Sequence, residues 1–154
     1  TGVLADVLDR AEAVAAGHGK GFDVLRNRAM ERIYLTSDLD RLAQVFINLI
    51  TNARKYCDAD RPILTIASEV KSGELVIDFV DNGSGIPSHQ QSVVFEKFSR
   101  IAETKAGGAG LGLAICREII KRLGGTISYL PGQGGAAFRV TLPIRRDRSQ
   151  YSKN

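Results

Sequence analysis

Histidine and cysteine are scarce in this chain of 154 residues: His18 and His89, Cys57 and Cys116. Two histidines are too few for a histidine-based metal centre, and the two cysteines show no motif spacing. Reduced thiols are the expectation, as in a cytosolic domain. No apolar run approaches the length of a membrane span, and no signal-peptide pattern opens the chain. A Walker A phosphate loop, which needs Gly-Lys-Ser/Thr, is absent. Basic excess is also nearly missing from the body of the chain. The net charge is +4, but residues 145–154 hold four basic side chains and one acid, so the remainder carries 17 basic and 16 acidic residues. An isoelectric point near 9.3 therefore says little about nucleic acid. The basic end is expected to be a solvated, disordered tail.

What is present is ordinary globular composition, 44% hydrophobic and 25% charged, at a length that suits one domain. The opening residues read as the middle of something already begun, which leaves a membrane-bound parent open.

Apolar residues at Val3, Leu4, Val7, Leu8, Ala11, Val14 and Ala15 have helical spacing, so residues 3–16 are expected to form a helix. Gly17-His18-Gly19-Lys20-Gly21 ends it, and His18 reads as a loop residue. Residues 22–25 and 32–35 are short strand candidates, expected to pair. Ser37 with Asp40 three residues on reads as a helix start. The helix runs to about Tyr56, with Leu39, Leu42, Val45, Phe46, Leu49, Ile50 and Ala53 as its buried stripe. Asn48 and Asn52 lie four apart beside that stripe, followed by Lys55 and Tyr56. Asparagine is a poor residue for a helix interior, so the pair is either two solvated amides or a site.

Residues 63–70 and 74–81 alternate as strands around Lys71-Ser72-Gly73, a hairpin. Then comes Asp81-Asn82-Gly83-Ser84-Gly85-Ile86-Pro87, which cannot extend the strand. Its glycines either make a turn or bring the backbone close to something flat or charged. Residues 90–98 are a short helix candidate carrying Phe95 and Phe98, and residues 99–108 read as a mobile loop. Gly108-Ala109-Gly110-Leu111-Gly112-Leu113 leads into a helix of Ala114, Ile115, Ile119, Ile120 and Leu123, stopped by Gly124-Gly125. Residues 126–130 and 136–142 make a second hairpin. This order predicts an α+β sandwich, one mixed sheet with helices on one face.

Glycines that open a helix form an anion site, because N–H groups and the helix dipole both favour negative charge. The spacing of Gly108, Gly110 and Gly112 is wrong for a dinucleotide fingerprint, and no βαβ unit surrounds it. Two amides, a cation, a strand-end carboxylate and two glycine loops ask for a ligand with a hydrogen-bonding base and phosphates. Carboxamide oxygens suit Mg²⁺, a hard cation that shares phosphate oxygens.

These stretches resemble the ATP-binding catalytic domain of sensor histidine kinases over nearly the whole chain. Residues 38–56 look like the family's N box and residues 81–87 like its first glycine box. Val94-Phe95-Glu96-Lys97-Phe98-Ser99-Arg100 is similar to its F box, residues 108–115 to its second glycine box, and residues 134–143 to its closing segment. The resemblance implies the Bergerat fold of the wider GHKL superfamily, a two-layer sandwich whose mostly antiparallel sheet packs on helices. It extends to the heat-shock chaperone, gyrase and mismatch-repair ATPases.

By that resemblance, Asp81 would accept a hydrogen bond from the adenine amino group, with Gly83, Gly85 and Ile86 close to the base. Asn52 would ligate Mg²⁺, Asn48 would support metal and phosphates, Lys55 would neutralise phosphate charge, and Tyr56 would lie near base or sugar. Phe98 would line the nucleotide site, Arg100 would approach the γ-phosphate, and Gly108, Gly110, Leu111 and Gly112 would hold the phosphates. Where the hydrolytic relatives carry a water-activating glutamate, this chain has Asn48, which cannot act as a base, so slow hydrolysis is expected. Two threonines usual in the family are Ala109 and Ala136 here.

No histidine in the chain fits the phosphoacceptor pattern. The expectation is therefore a catalytic domain over residues 1–144, with residues 1–16 continuing from a dimerisation helix and 145–154 as tail. It would phosphorylate a histidine on its parent's dimerisation domain, feeding a cognate response regulator. The isolated domain is expected to be a cytoplasmic monomer, its parent a homodimer compatible with an inner-membrane sensor. The alternatives are a nucleotide-binding regulatory module without kinase activity and a GHKL-type ATPase.

Overall fold

A computed structural model describes residues 2–15, 22–27, 32–96 and 111–144. In chain order the elements are β1 (Gly2–Val3), α1 (Leu4–Ala15), β2 (Asp23–Arg26), β3 (Tyr34–Leu35), α2 (Leu39–Tyr56), β4 (Ile63–Lys71) and β5 (Glu74–Asp81). They continue with α3 (Ser88–Gln91), α4 (Leu111–Arg122), β6 (Thr126–Tyr129) and β7 (Ala137–Pro143). Five strands form one sheet in the order β2-β4-β5-β7-β6, and β1 pairs with β3 apart from it.

Alternation decides which face of the sheet is covered. Leu64 and Ile66 of β4, Leu75, Ile77 and Phe79 of β5, and Phe138, Val140 and Leu142 of β7 are buried on one face. The buried stripes of α1 and α2, with Cys116, Ile119 and Ile120 of α4, close over them. Phe46 packs on Phe79 at 5.5 Å between ring centroids. Each such fully buried side chain contributes about 1.5–3 kcal/mol. The expected α+β sandwich, with its mixed and mostly antiparallel sheet on helices, is the architecture observed.

β4 and β5 join through Ser72 (φ 53°) and Gly73 (φ 78°), a two-residue turn that holds Lys71 opposite Glu74. The strands expected to pair near the N-terminus do not. β2 runs parallel to β4, with Val24 opposite Leu64, while β3 pairs antiparallel with β1. A parallel neighbour needs a long crossover, and α2 supplies it between β2 and β4.

Three local expectations also shift. Asp38, not Ser37, caps α2: its extended backbone aims the carboxylate at Arg41 N, 3.1 Å away. Val14 and Ile115 are exposed rather than buried. Val14 lies about 90° from the centre of the α1 stripe at 100° per residue, and in α4 the inward place is taken by Cys116. The helix expected over 90–98 is a single turn, Ser88–Gln91, followed by turns to Phe95. The adjacent β-branched Val93 and Val94 disfavour helix, and Val94 is buried. Residues 97 and 98, the loop 99–108, the breaker 17–21 with His18, and the tail lie outside the described residues.

Candidate functional site

Asp81 is one of two buried polar or charged residues among those described. It ends β5 on the covered face, in register with Leu64 of β4. Its Oδ1 accepts from Gly83 N at 2.8 Å and from Ala136 N at 3.0 Å. Among the described residues, both backbone donors that reach the carboxylate go to Oδ1. Gly135 makes this possible. A Cβ there would lie 2.0 Å from the Asp81 carbonyl oxygen and 2.7 Å from Oδ1, so only glycine lets the strands approach.

The loop after Asp81 is held by side chains from three directions. Asn82 Oδ1 accepts from Ile63 N at 2.8 Å and from the Cys57 thiol at 3.3 Å, while Asn82 Nδ2 donates to Arg61 O at 2.9 Å. Asp58 accepts from the Ser84 amide at 2.8 Å and from its hydroxyl. These contacts tie the C-terminal end of α2 to the glycine loop. Gly85 takes φ 84°, a left-handed conformation costly for other residues. Ile86 N donates to the Tyr129 hydroxyl at 3.0 Å, and Gln91 Nε2 donates to Ile86 O at 2.9 Å. The loop is therefore a shaped wall rather than a hairpin turn; β5 finds its next partner in β7.

On α2, Asn48, Asn52 and Tyr56 are half-buried and Lys55 is exposed. Burial raises the Tyr56 phenol above its ordinary value. Asn48 of α2 is among the groups that act on the Cys116 thiol of α4. The Cys116 thiol also approaches Val45 O at 3.8 Å. Burial pushes Cys116 up to about 12, against the smaller opposing pull of the Asn48 hydrogen bond. Helix α2 is thus the shared wall between the glycine loop and α4. Leu111 opens α4, and nothing among the described residues lies within 4 Å of a Cβ placed on Gly112.

Of the residues singled out from sequence, Asp81, Gly83, Gly85 and Ile86 come together with the α2 end that carries Asn52, Lys55 and Tyr56. Phe98, Arg100, Gly108 and Gly110 lie outside the described residues. Sequence reasoning missed Asp58, Tyr129 and Gly135. The adjacent Gly134-Gly135 was the one visible signal, and it also suits an ordinary turn.

Among the described residues, no three His, Cys, Asp or Glu side chains gather to hold a metal by themselves. Two half-buried carboxamides one helical turn apart fit a cation that takes its other oxygens from phosphate and water.

Residues 37–146 match the family model described as histidine kinase-, DNA gyrase B- and HSP90-like ATPase. The chain belongs to that family. Among curated relatives, the sensor protein KdpD of Escherichia coli strain K12 is 47% identical over 102 residues, covering 65% of this chain and 11% of KdpD. The sensor protein VanS of Enterococcus faecium is 35% identical over 148 residues, covering 94% of this chain and 37% of VanS. The ATPase domain thus spans well under half the length of either. Among solved structures, the catalytic domain of histidine kinase ThkA superposes with a TM-score of 0.77 at 26% identity, covering 92% of this chain and 93% of that one. The ATP-binding domain of PrrB from Mycobacterium tuberculosis gives 0.67 at 28% identity, covering 92% and 93%. No described helix of the ATPase domain is long and apolar enough to cross a membrane.

Proposed function

We propose that this ATPase domain binds ATP with Mg²⁺ and donates the γ-phosphate to a histidine on its parent's separate dimerisation domain. The observation that carries this reading is the buried Asp81, its Oδ1 engaged by two backbone donors. A carboxylate oriented in this way accepts from the amino group of adenine. Guanine carries an acceptor oxygen at that place and is disfavoured.

Each remaining residue has a role in that scheme. Gly83, Gly85 and Ile86 form the wall against the base, with Tyr56 beside base or sugar, and Phe98 is assigned to nucleotide binding by the resemblance. Lys55 and Arg100 offset phosphate charge. Leu111 and Gly112, at the start of α4, would present N–H groups to the phosphate oxygens, and Gly108 and Gly110 are assigned the same role by the resemblance. Asn52 offers a carboxamide oxygen to Mg²⁺, and Asn48 supports the same region. Mg²⁺, when bound, supplies divalent charge shared among phosphate oxygens. Phosphoryl transfer depends mostly on positioning and charge neutralisation, which this inventory supplies.

Asn48 has no basic group to activate water, so the γ-phosphate is kept for the incoming histidine and hydrolysis is slow. A response regulator would then take the phosphoryl group from that histidine. Residues 1–144 would form the catalytic unit and 145–154 a tail; with Gly2–Val3 paired to β3, α1 starts anew at Leu4 and does not continue a dimerisation helix. The domain alone would be a monomer, its parent a homodimer.

Calorimetry of ATP, ADP and GTP with Mg²⁺, on the wild type and on Asp81→Asn, tests the reading. In the variant the carboxamide oxygen must stay on the Gly83 and Ala136 N–H donors, which turns the new NH₂ group toward the adenine amine. Losing one hydrogen bond to a charged group costs about 1.5–3 kcal/mol, roughly 10- to 100-fold in affinity. A folded wild-type domain that binds no adenine nucleotide would overturn the assignment. Phosphohistidine on a cognate dimerisation domain incubated with labelled ATP separates a kinase from a regulatory module.

A further inference from the structure

We propose that Tyr129 is a positioning residue for the base-binding wall, acting through the Ile86 amide. The proposal rests on the nucleotide reading of the Asp81 loop and adds a residue outside its motifs.

The backbone of Ile86 is held by side chains at both ends. Its N–H donates to the Tyr129 hydroxyl at 3.0 Å, across 43 residues of sequence, and its carbonyl accepts from Gln91 Nε2 at 2.9 Å. The Tyr129 hydroxyl also lies directly under the preceding residue. A Cβ on Gly85 would meet that oxygen at 3.3 Å, so the hydroxyl occupies the space which the left-handed Gly85 leaves open. One oxygen therefore touches the turn and bonds the residue that follows it.

The ring that carries the hydroxyl is itself fixed. Tyr129 meets Phe138 edge-on, with centroids 5.4 Å apart and planes at 75°. Phe138 in turn meets Phe95 edge-on at 5.8 Å and 81°. Such pairs restrict ring orientation beyond simple burial. Tyr129 stands on β6, the edge strand, directly opposite Phe138 in register, so the sheet sets where the hydroxyl points. Phe95 follows α3 and Ile86 precedes it. The ladder Tyr129–Phe138–Phe95 thus holds the segment 86–95 at both ends, and the wall beside Asp81 is built before a ligand arrives. A preformed wall binds more tightly because less ordering is left for the binding step.

The test compares wild type, Tyr129→Phe and Tyr129→Leu by calorimetry with Mg²⁺ and ADP, thermal melting, and hydrogen exchange of the Ile86 amide without nucleotide. Tyr129→Phe keeps the ring and removes only the acceptor. We expect roughly 3- to 10-fold weaker ADP binding, the scale of one neutral hydrogen bond. Ile86 exchange should accelerate, with the melting temperature and exchange elsewhere in the sheet unchanged. Tyr129→Leu should weaken binding further and lower the melting temperature. Unchanged ADP affinity and unchanged Ile86 exchange in Tyr129→Phe would overturn the proposal. So would a general loss of sheet protection, which marks a merely structural role. If the wild type binds no ADP, the nucleotide reading fails instead, and Ile86 exchange still decides whether Tyr129 sets the loop.

Discussion

Asp81 and Ala136 exchange two hydrogen bonds, Asp81 N to Ala136 O at 2.9 Å and Ala136 N to the Asp81 carboxylate at 3.0 Å. A side chain thus replaces one rung of the ladder where β5 leaves β7. The same contact orients the carboxylate and ends the sheet.

That junction has no room for a side chain at residue 135. Gly135→Ala would drive a methyl into the Asp81 carbonyl, so β5 and β7 must part. The expected cost is about 1–3 kcal/mol, seen as an earlier midpoint in urea unfolding. Adenine nucleotide affinity should fall with it, since the Asp81 carboxylate loses its Ala136 donor.

Asp58 acts on the opposite side of the loop. Asp58→Ala removes the acceptor for both the Ser84 amide and hydroxyl. Nucleotide affinity is expected to drop about 5-fold, within the range for one or two exposed hydrogen bonds. Calorimetry with ADP checks this, and an unchanged dissociation constant would show that Asn82, Tyr129 and Gln91 hold the loop without Asp58.

Cys116 makes the alkaline limb of stability predictable. Its folded value is raised from 9.0 to about 12 by burial, so between those values the unfolded chain loses a proton that the folded one keeps. The folded state then binds more protons, and stability falls as pH rises through that window, by up to about 1.4 kcal/mol per pH unit. Below pH 9 the effect is absent. Cys116→Ala should flatten this limb relative to wild type, whatever its stability at neutral pH. In the native domain a thiol reagent should find the half-buried Cys57 before Cys116.

Ser68 lies buried on the covered face of β4, and its hydroxyl has no hydrogen-bond partner among the described residues. Removing an unsatisfied buried hydroxyl relieves a desolvation penalty. Ser68→Ala should therefore stabilise the domain by about 1 kcal/mol without changing nucleotide affinity, both measurable on one preparation. A loss of stability would point to packing around the hydroxyl instead.

Local signals in the sequence determined much of this protein. The stripe on α2, the Ser72-Gly73 turn, the helix stop at Gly124-Gly125 and the strand ending at Asp81 each depend on neighbours a few residues away. So do the motifs of both glycine loops, which is why the family could be recognised from them. Only the tertiary structure decided the parallel pairing of β2 with β4, since alternation gives a strand's faces and not its partner. It also decided that Gly135 must lack a side chain and that Tyr129 reaches Ile86. These contacts join residues 43 and 54 positions apart, and they meet only because the sheet register brings them to one place.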